Sequence, residues 1–260
     1  MTRLVITGCC GRMGTLLAEE AVKDPARFKL AGAVEHEGHP QTGKPLPAQP
    51  TLRVSDDLPG ALREADLLVE FTTPAATLSN VRAAAAAKTP VVIGTTGFTA
   101  AQLAELQELA RRIPVFWSPN MSIGIVVVRR TIASLSKLLF DFGLADRVQA
   151  TISEIHHTKK ADKPSGTAKA LAEELLKATG WLIRDEEIEA KREGEVIGVH
   201  SVTFRAPSEN ITLLHEATDR RVFAQGALLV AANFRTLWKK PGWYGMDDFV
   251  SAIEKTKRNK

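Results

Sequence analysis

The first 120 residues of the chain alternate between short apolar runs and longer stretches of helical periodicity. The runs are rich in β-branched residues and apolar at nearly every position, which is typical of strands buried on both faces of a parallel sheet. They cover residues 4–7, 30–34, 67–71, 91–93 and 115–117. The intervening stretches predict crossover helices over residues 12–23, 74–88 and 99–112. Repeated βα units of this kind predict an α/β fold with a Rossmann-like, doubly wound parallel sheet.

After residue 120 the pattern changes. Helical periodicity covers residues 123–140 and 167–179, and the second helix is expected to end at Gly180. Strand-like runs cover residues 148–155, 199–204 and 211–215. The last two runs alternate apolar and polar residues, which predicts an antiparallel sheet and a second, α+β domain.

These patterns predict where the domains begin and end. We place a first domain at residues 1–121 and a second at residues 122–220. A last helix is predicted over residues 222–238, and residues 221–260 are expected to pack back on the first domain. Residues 36–50 are rich in Gly, Pro and His without periodicity, which predicts an exposed loop.

Charge and cysteine content narrow the class of protein. Lys and Arg number 34 and Asp and Glu 30, which gives a net charge of +4. Because the two signs are interspersed, the composition argues against nucleic-acid binding but suits small anionic ligands. The two cysteines are adjacent, so they cannot form a disulfide framework, and this indicates a reducing compartment. With no secretory signal and no apolar stretch of about 20 residues, we expect a cytoplasmic protein without a membrane partner.

A glycine-rich loop directly follows the first predicted strand. It reads Gly8-Cys9-Cys10-Gly11-Arg12-Met13-Gly14 and opens the first predicted helix. Glycines here let the backbone turn tightly and approach a pyrophosphate, which the N–H groups and dipole of a helix N-terminus attract. Glu35, 21 residues after Gly14, ends the second strand and is expected to bind a ribose hydroxyl. The spacing GxxGxxG is less specific than GxGxxG, so a tight turn without a cofactor is the alternative.

Three further loops, at residues 71–74, 94–98 and 118–121, follow predicted strands and carry small or hydroxyl-bearing residues. Ligands of open α/β sheets bind beyond the carboxyl ends of the strands. We therefore expect these loops to border the nicotinamide end of a dinucleotide. Helix capping alone explains each loop equally well when it is taken singly.

The segment over residues 154–167 closes a predicted strand, opens a predicted helix and holds two histidines and several lysines. The N–H groups of residues 165–167 and the Thr167 hydroxyl are expected to bind a carboxylate, and Lys160 to add a charge-assisted contact. His156 is the candidate general acid, because imidazole exchanges protons near neutral pH. No Cys or carboxylate cluster is expected to complete a ligand set with the histidines, so no metal is predicted. A solvated basic loop before a capped helix is the alternative.

Read in order, these blocks resemble the dihydrodipicolinate reductase family, which reduces 4-hydroxy-tetrahydrodipicolinate in bacterial lysine and diaminopimelate synthesis. The resemblance rests on GCCGRMG, EFTTP, VVIGTTGF, SPNMSIG, EIHHTKKADKPSGTA and FAQGAL, which together span nearly the whole chain. It implies a nicotinamide-dependent reduction by a two-domain, usually tetrameric enzyme. The N-terminal domain is then expected to bind NADH or NADPH, and the C-terminal domain the cyclic dicarboxylate substrate.

The resemblance also implies roles for individual residues. His156 matches the family's general acid and Lys160 its partner lysine. The implied substrate contacts are His157, Ser165, Gly166 and Thr167. The implied cofactor contacts are Gly8, Cys9, Cys10, Gly11, Arg12, Met13, Glu35, His36, Gly94, Thr95, Thr96, Ser118, Pro119, Asn120 and Met121.

Two features depart from the family's pattern. His36 stands where many relatives carry an arginine beside the ribose-binding acid, so we expect use of both cofactors rather than a strong preference for NADPH. The segment over residues 180–198 is short, so one element of the second sheet is expected to be missing. That sheet builds the family's tetramer, and a homo-oligomer is still expected. His200 and His215, in the alternating strands, are assigned structural or interface roles.

Two other functions fit part of the sequence. A related Rossmann-type dehydrogenase acting on an amino or hydroxy dicarboxylate would use the same groups. A nucleotide-sensing regulator would use the glycine loop and Glu35, but it would not explain why a histidine pair, Lys160 and a helix start lie together.

Overall fold

The computed structural model describes residues 1–160 and 162–258, and the chain divides into two units. The first comprises Met1–Met121 and the described residues from Phe223 onward, and the second comprises Ser122–Val222. The strands are β1 (Thr2–Thr7), β2 (Phe28–Val34), β3 (Pro45–Leu46), β4 (Gln49–Ser55), β5 (Leu67–Glu70), β6 (Val91–Ile93), β7 (Pro114–Trp117), β8 (Gln149–His156), β9 (Glu189–Arg192), β10 (Gly198–Arg205), β11 (Asn210–Ala217) and β12 (Gly242–Tyr244). The helices are α1 (Arg12–Val22), α2 (Leu58–Leu62), α3 (Pro74–Ala87), α4 (Ala100–Leu109), α5 (Ile123–Asp141), α6 (Gly166–Thr179), α7 (Arg221–Leu237) and α8 (Met246–Arg258), with 3₁₀ turns at Ala145–Arg147 and Asp185–Glu187.

The first unit is built around an eight-stranded sheet in the order β12-β7-β6-β5-β1-β2-β4-β3. Every pairing in this sheet is parallel except that of β3 with β4. The strands β1, β5, β6 and β7 are buried almost throughout, as continuous apolar runs predict. Side chains of α2, α3 and α4, among them Leu62, Val81 and Leu106, pack against Leu68 and Ile93 of the sheet. The predicted doubly wound parallel sheet is therefore confirmed.

The described C-terminal residues belong to the first unit. Arg235 of α7 lies 3.5 Å from the Asp66 carboxylate. The ring of Trp238 packs on Phe116 of β7, with centroids 5.5 Å apart. Strand β12 then pairs parallel with β7. Both β12 and α8 were absent from the sequence prediction. A three-residue strand is too short to show periodicity, whereas Met246, Phe249, Val250 and Ile253 of α8 follow helical spacing and could have indicated that helix. Residues 259–260 of the predicted C-terminal region lie outside the described residues.

The prediction of a loop over residues 36–50 is wrong in part. Strand β3 and the first two residues of β4 fall within this segment, and the two strands pair antiparallel. Farther along, β4 joins β2 in parallel through Val54 and Ser55. The sequence pattern hides β4 because Val54 is its single buried residue, so hydrophobic alternation is lost.

The second unit holds a four-stranded sheet in the order β11-β10-β8-β9. Its pairings are antiparallel except that of β8 with β9, so the predicted antiparallel sheet of an α+β unit is confirmed. Ile132 of α5 and Leu171 of α6 share a buried cluster with Ile152 and Val202 of the sheet. Gly180 ends α6 in the left-handed conformation, with φ at +76°. The segment over residues 180–198 supplies β9 and a 3₁₀ turn.

The register of β8 determines which of its side chains enter the unit. Ile152, Glu154 and His156 are buried, and they alternate with residues that are exposed or half-buried. Two polar side chains are therefore directed inward at the end of the strand that precedes α6. Among the described helices, none is long and apolar enough to cross a bilayer.

Candidate active site

A cavity of about 760 Å³ lies in the first unit at the carboxyl ends of its central strands. The glycine loop after β1, the end of β2 and the loops after β5 and β6 all line it. The sequence-predicted cofactor residues in its lining are Gly8, Cys10, Gly11, Arg12, Met13, Glu35, His36, Gly94, Thr95 and Thr96. This is the edge of an open parallel sheet at which ligands bind.

The glycine loop has the shape that an anion site needs. Gly8 has a φ of +63°, and its carbonyl oxygen accepts the Gly11 N–H at 2.9 Å. A Cβ at Gly14 would overlap the Gly8 carbonyl oxygen, so only glycine permits this close approach. Helix α1 then begins after Gly11 without a side-chain cap. An uncapped helix start beside a cavity fits the pyrophosphate of a dinucleotide.

The end of β2 supplies the predicted ribose contact. The Glu35 carboxylate accepts the Cys10 N–H at 2.7 Å, so this side chain also supports the glycine loop. His36 and Arg12 are exposed at the edge of the cavity. His36 Nδ1 lies 2.8 Å from the Glu37 carbonyl oxygen, which leaves Nε2 for a ligand.

Some predicted cofactor residues do not line this cavity. Cys9 is buried behind Cys10, with the sulfur atoms 3.8 Å apart, and burial raises the pKa of both thiols. Ser118 Oγ donates to the Asn120 carbonyl oxygen at 2.6 Å, so the chain makes a closed turn after β7. A cofactor contact therefore stays a prediction for five residues that do not line the cavity: Cys9, Ser118, Pro119, Asn120 and Met121.

A buried carboxylate for which no role was predicted lies next to the cavity. Glu70, the last residue of β5, has 0% of its surface exposed. Its Oε2 accepts hydrogen bonds from Thr7 Oγ1 at 2.5 Å and Asn80 Nδ2 at 2.8 Å. Its Oε1 accepts hydrogen bonds from Thr77 Oγ1 at 3.1 Å and from Thr72 Oγ1. Donors from β1, the loop after β5 and α3 therefore converge on one side chain.

The same network continues to the next two strand ends. Thr95 Oγ1 accepts the Thr72 N–H at 3.0 Å and lies 2.9 Å from Thr77 Oγ1, within hydrogen-bond distance. The Thr95 carbonyl oxygen accepts the indole N–H of Trp117 at 3.0 Å. Because Thr72 and Thr95 line the cavity, the hydrogen-bond network that satisfies Glu70 also fixes the wall of the cavity. An acidic residue ending the apolar strand LLVE is the sequence signal that could have indicated this role.

A second candidate site lies in the second unit, where β8 ends and α6 begins. The Glu154 carboxylate is 3.5 Å from His156 Nδ1 and 3.6 Å from His200 Nε2. All three residues are buried, and their potential ligand atoms lie within 4.8 Å of one another. One carboxylate thus lies beside His156, but His157, the other histidine of the predicted pair, does not belong to this cluster. The absence of a metal from the site stays a prediction.

The start of α6 is attached to the same carboxylate. The Ser165 N–H donates to Glu154 Oε1 at 3.0 Å, and Ser165 Oγ donates to Glu154 Oε2. Ser165 Oγ also caps the helix by accepting the Ala168 N–H at 3.2 Å. The Ser165 N–H, expected to face a substrate carboxylate, is thus engaged inside the protein. Substrate contact by Ser165, Gly166 and Thr167 stays a prediction.

The loop between these elements carries the predicted cationic contact. Lys160 Nζ lies 2.6 Å from Asp162 Oδ1. Although burial acts in the opposite direction, the hydrogen bond and charge of Lys160 lower the pKa of Asp162. A substrate carboxylate would compete with Asp162 for this ammonium group. His157, the other predicted substrate contact, is half-buried at the start of the loop.

The electrostatics of the second site favour neutral histidines. Burial lowers the pKa of His156 to about 4; the Glu154 carboxylate opposes this shift, and the cations Lys160 and Arg192 add to it. Burial also lowers the pKa of His200 to about 3. Both imidazoles are therefore neutral at pH 7 in the ligand-free protein. An anionic ligand beside His156 would raise its pKa, so a general acid here gains its proton together with the ligand.

Comparison with known proteins identifies the family. A glycine loop opening a helix at the edge of a parallel sheet is the architecture of dinucleotide-dependent oxidoreductases. Family models for the N-terminus and the C-terminus of dihydrodipicolinate reductase match residues 2–121 and 124–250. The chain belongs to the dihydrodipicolinate reductase family.

Individual relatives match almost end to end. A 4-hydroxy-tetrahydrodipicolinate reductase of Desulfovibrio desulfuricans is 38% identical over 268 residues, covering 95% of this chain and 98% of the relative. Another, of Anaeromyxobacter dehalogenans, is 37% identical over 275 residues, covering 96% and 98%. A dipicolinate-bound dihydrodipicolinate reductase structure from Paenisporosarcina sp. TG-14 superposes with a TM-score of 0.72 at 22% identity, covering 96% of this chain and 99% of that one. This structure shows that the fold is shared.

The Glu70 network generates a testable prediction for the first site. In Glu70→Gln the new amide N–H groups face hydroxyl and amide donors, so buried donors lose their acceptor. We expect the free energy of unfolding to fall by about 1–3 kcal/mol. We also expect the dissociation constant of NADH to rise about tenfold, because the cavity wall is no longer fixed. Thermal unfolding and a fluorescence titration with NADH measure the two effects.

Val81→Ala is the matched control for this variant. Val81 is buried in the same unit, on α3, but is not part of the Glu70 network. It should lower stability and leave the affinity for NADH unchanged. Wild-type NADH affinity in Glu70→Gln would show that the network does not support the cofactor site.

Proposed function

We propose that this protein reduces 4-hydroxy-tetrahydrodipicolinate to tetrahydrodipicolinate with NADH or NADPH, a step of lysine and diaminopimelate biosynthesis. The observation that carries the proposal is that one chain holds both a dinucleotide cavity and a buried histidine beside a lysine and a helix start. The two relatives described above, which bear the name of this activity, match at least 95% of the chain. A nucleotide-sensing regulator would need only the first site, and nothing in the comparisons favours a different dicarboxylate dehydrogenase.

In this proposal the first unit is the dinucleotide-binding domain, residues 1–121 with 221–260. The start of α1 and its glycine loop hold the pyrophosphate, Glu35 the adenosine ribose, and Gly94, Thr95 and Thr96 border the nicotinamide. The reduced nicotinamide, when bound, supplies a hydride from its C4 atom. His36 replaces a permanently charged arginine, which supports use of NADH at least as well as NADPH.

The second unit is the substrate-binding domain, residues 122–220, in the same proposal. Lys160, the start of α6 and His157 bind the carboxylates of the cyclic substrate. The substrate is a cyclic imine that loses its hydroxyl group as water to give the conjugated dihydro compound, which then accepts the hydride and takes a proton from His156. Holding the reactants and the proton donor together, and neutralising the carboxylates, accounts for the acceleration.

We also propose that the protein acts in the cytoplasm as a homo-oligomer, by resemblance a tetramer. Both cysteines are free thiols, which suits a reducing compartment. The helices α5 and α6 cover one face of the second sheet, and the other face carries small polar side chains beside Leu214, which is 61% exposed. A face of this composition suits a sheet that packs against another copy.

The experiment that tests the function is an assay of reduced nicotinamide loss with substrate generated from aspartate semialdehyde and pyruvate. We expect turnover with both NADH and NADPH. His156→Gln should lower kcat by about 10²–10⁴-fold, because proton transfer is lost. Lys160→Ala should raise the KM for the substrate and lower kcat. The proposed function is wrong if neither cofactor is oxidised, and the proposed site is wrong if both variants behave as wild type.

The lowered pKa of His156 predicts that ligand binding takes up protons. The ligand-free imidazole is neutral above about pH 4, and a bound dianion raises that pKa, so the complex holds more protons than the free protein between the two values. Affinity for pyridine-2,6-dicarboxylate, measured with NADH present, should therefore increase as the pH falls from about 8 to about 6. Calorimetry in buffers of different ionisation enthalpy should give an uptake approaching one proton. His156→Gln should abolish this uptake, and an uptake of zero in the wild type would contradict the account.

A further inference from the structure

The buried carboxylate of Glu154 contacts Ser165 and Arg192 and lies close to His156 and His200. Its Oε1 accepts the Ser165 N–H at 3.0 Å and both terminal nitrogens of Arg192 at 3.2 Å. Its Oε2 accepts the Ser165 hydroxyl and lies 3.5 Å from His156 Nδ1 and 3.6 Å from His200 Nε2. The side chain has 0% exposure. Contact with solvent is therefore not the reason why a charged residue occupies position 154.

Burying a charge here costs more than burying an apolar residue of similar size. A buried ion pair seldom adds net stability, because two charges lose their hydration. The neighbouring inward position of β8, Ile152, is apolar and packs well. Apolar residues in place of both Glu154 and its partner Arg192 would therefore serve the fold at least as well. The role of Glu154 has to be sought in the groups that it holds.

Arg192 extends the reach of Glu154 to the loop that carries Lys160. Besides Glu154, its guanidinium donates to the carbonyl oxygen of Lys160 at 3.3 Å and to that of Asp162. These donors bind backbone, so the loop is attached to β9 at Lys160 and at Asp162. The side chain of Arg192 is 14% exposed, and no role for it was predicted from the sequence.

We propose that Glu154 is a positioning residue that aligns the proton donor His156 with the start of α6 and, through Arg192, with the loop that carries Lys160. The proposal rests on the proposed function for the roles of His156 and Lys160. Nδ1 of His156 makes no hydrogen bond in the ligand-free protein, but the negative charge of Glu154 3.5 Å away favours a proton on that nitrogen and leaves Nε2 to exchange a proton with the substrate. Glu154 thus acts through His156 and does not itself touch the reacting atoms.

The charge of Glu154 also has a consequence that a purely structural residue lacks. The charged and titratable groups around His156 are Glu154, Lys160, Asp162, Arg192 and His200. An opposite charge at this distance stabilises the imidazolium, and a like charge destabilises it. Neutralising Glu154 and neutralising Arg192 should therefore move the titration of His156 in opposite directions.

The test compares Glu154→Gln with Arg192→Gln and measures kcat against pH. A general acid loses activity as it deprotonates, so the basic limb of the profile reports His156 in the substrate complex. Glu154→Gln should move this limb to lower pH by about one unit and lower kcat at least tenfold, and Arg192→Gln should move it to higher pH. Limbs that stay in place, or move in the same direction, overturn the proposal. Ser153→Ala, on the opposite face of β8, is the control and should keep the wild-type limb.

Two further measurements test the proposal without relying on the kcat profile of Glu154→Gln. The ¹⁵N NMR signals of His156 report its tautomer without requiring turnover, so they separate a failure of this proposal from a failure of the proposed function. The wild type should carry the Nδ1 proton and Glu154→Gln should lose that preference; an unchanged tautomer overturns the proposal.

If Glu154→Gln does not fold, the double variant with Arg192→Met removes both charges at similar volume. It should fold and lose at least tenfold in kcat, and wild-type kcat would overturn the proposal.

Discussion

A carboxylate without access to water must be surrounded by hydrogen-bond donors, and each unit of this protein contains one such carboxylate beside its candidate site. In the first unit Glu70 is satisfied by side chains of β1, α3 and the loop after β5. In the second unit Glu154 is satisfied by Ser165 and Arg192. The positions of these donors determine where the functional loops can lie.

The two carboxylates differ in the partners that surround them. The partners of Glu70 are hydroxyl and amide groups, which fix loops without titrating near neutral pH. Glu154 is paired with a guanidinium and lies beside two imidazoles, so its charge acts on groups that exchange protons. This difference fits the proposed reaction. The first site has to hold a dinucleotide in place, whereas the second site has to bind a substrate and also protonate it.

Local patterns predicted most of the fold. Continuous apolar runs identified the central parallel strands, and Gly180 marked the end of α6. The glycine loop and the cluster around His156 were also evident, because their residues are close in sequence. The roles of Glu70 and Arg192 were not evident, because their partners are distant in sequence. Thr7 lies 63 residues from Glu70, and Arg192 lies 38 residues from Glu154. Periodicity and capping act within a few residues, whereas the choice of a buried partner is made by the tertiary fold.

A crystal structure with NADH and pyridine-2,6-dicarboxylate bound tests most directly whether the two buried carboxylates hold functional sites. We expect the pyrophosphate on the N–H groups at the start of α1 and a carboxylate of the second ligand on Lys160 and the start of α6. Glu70 and Glu154 should keep the hydrogen bonds described above. Ligands bound elsewhere, or either carboxylate separated from its donors in the complex, would contradict this account.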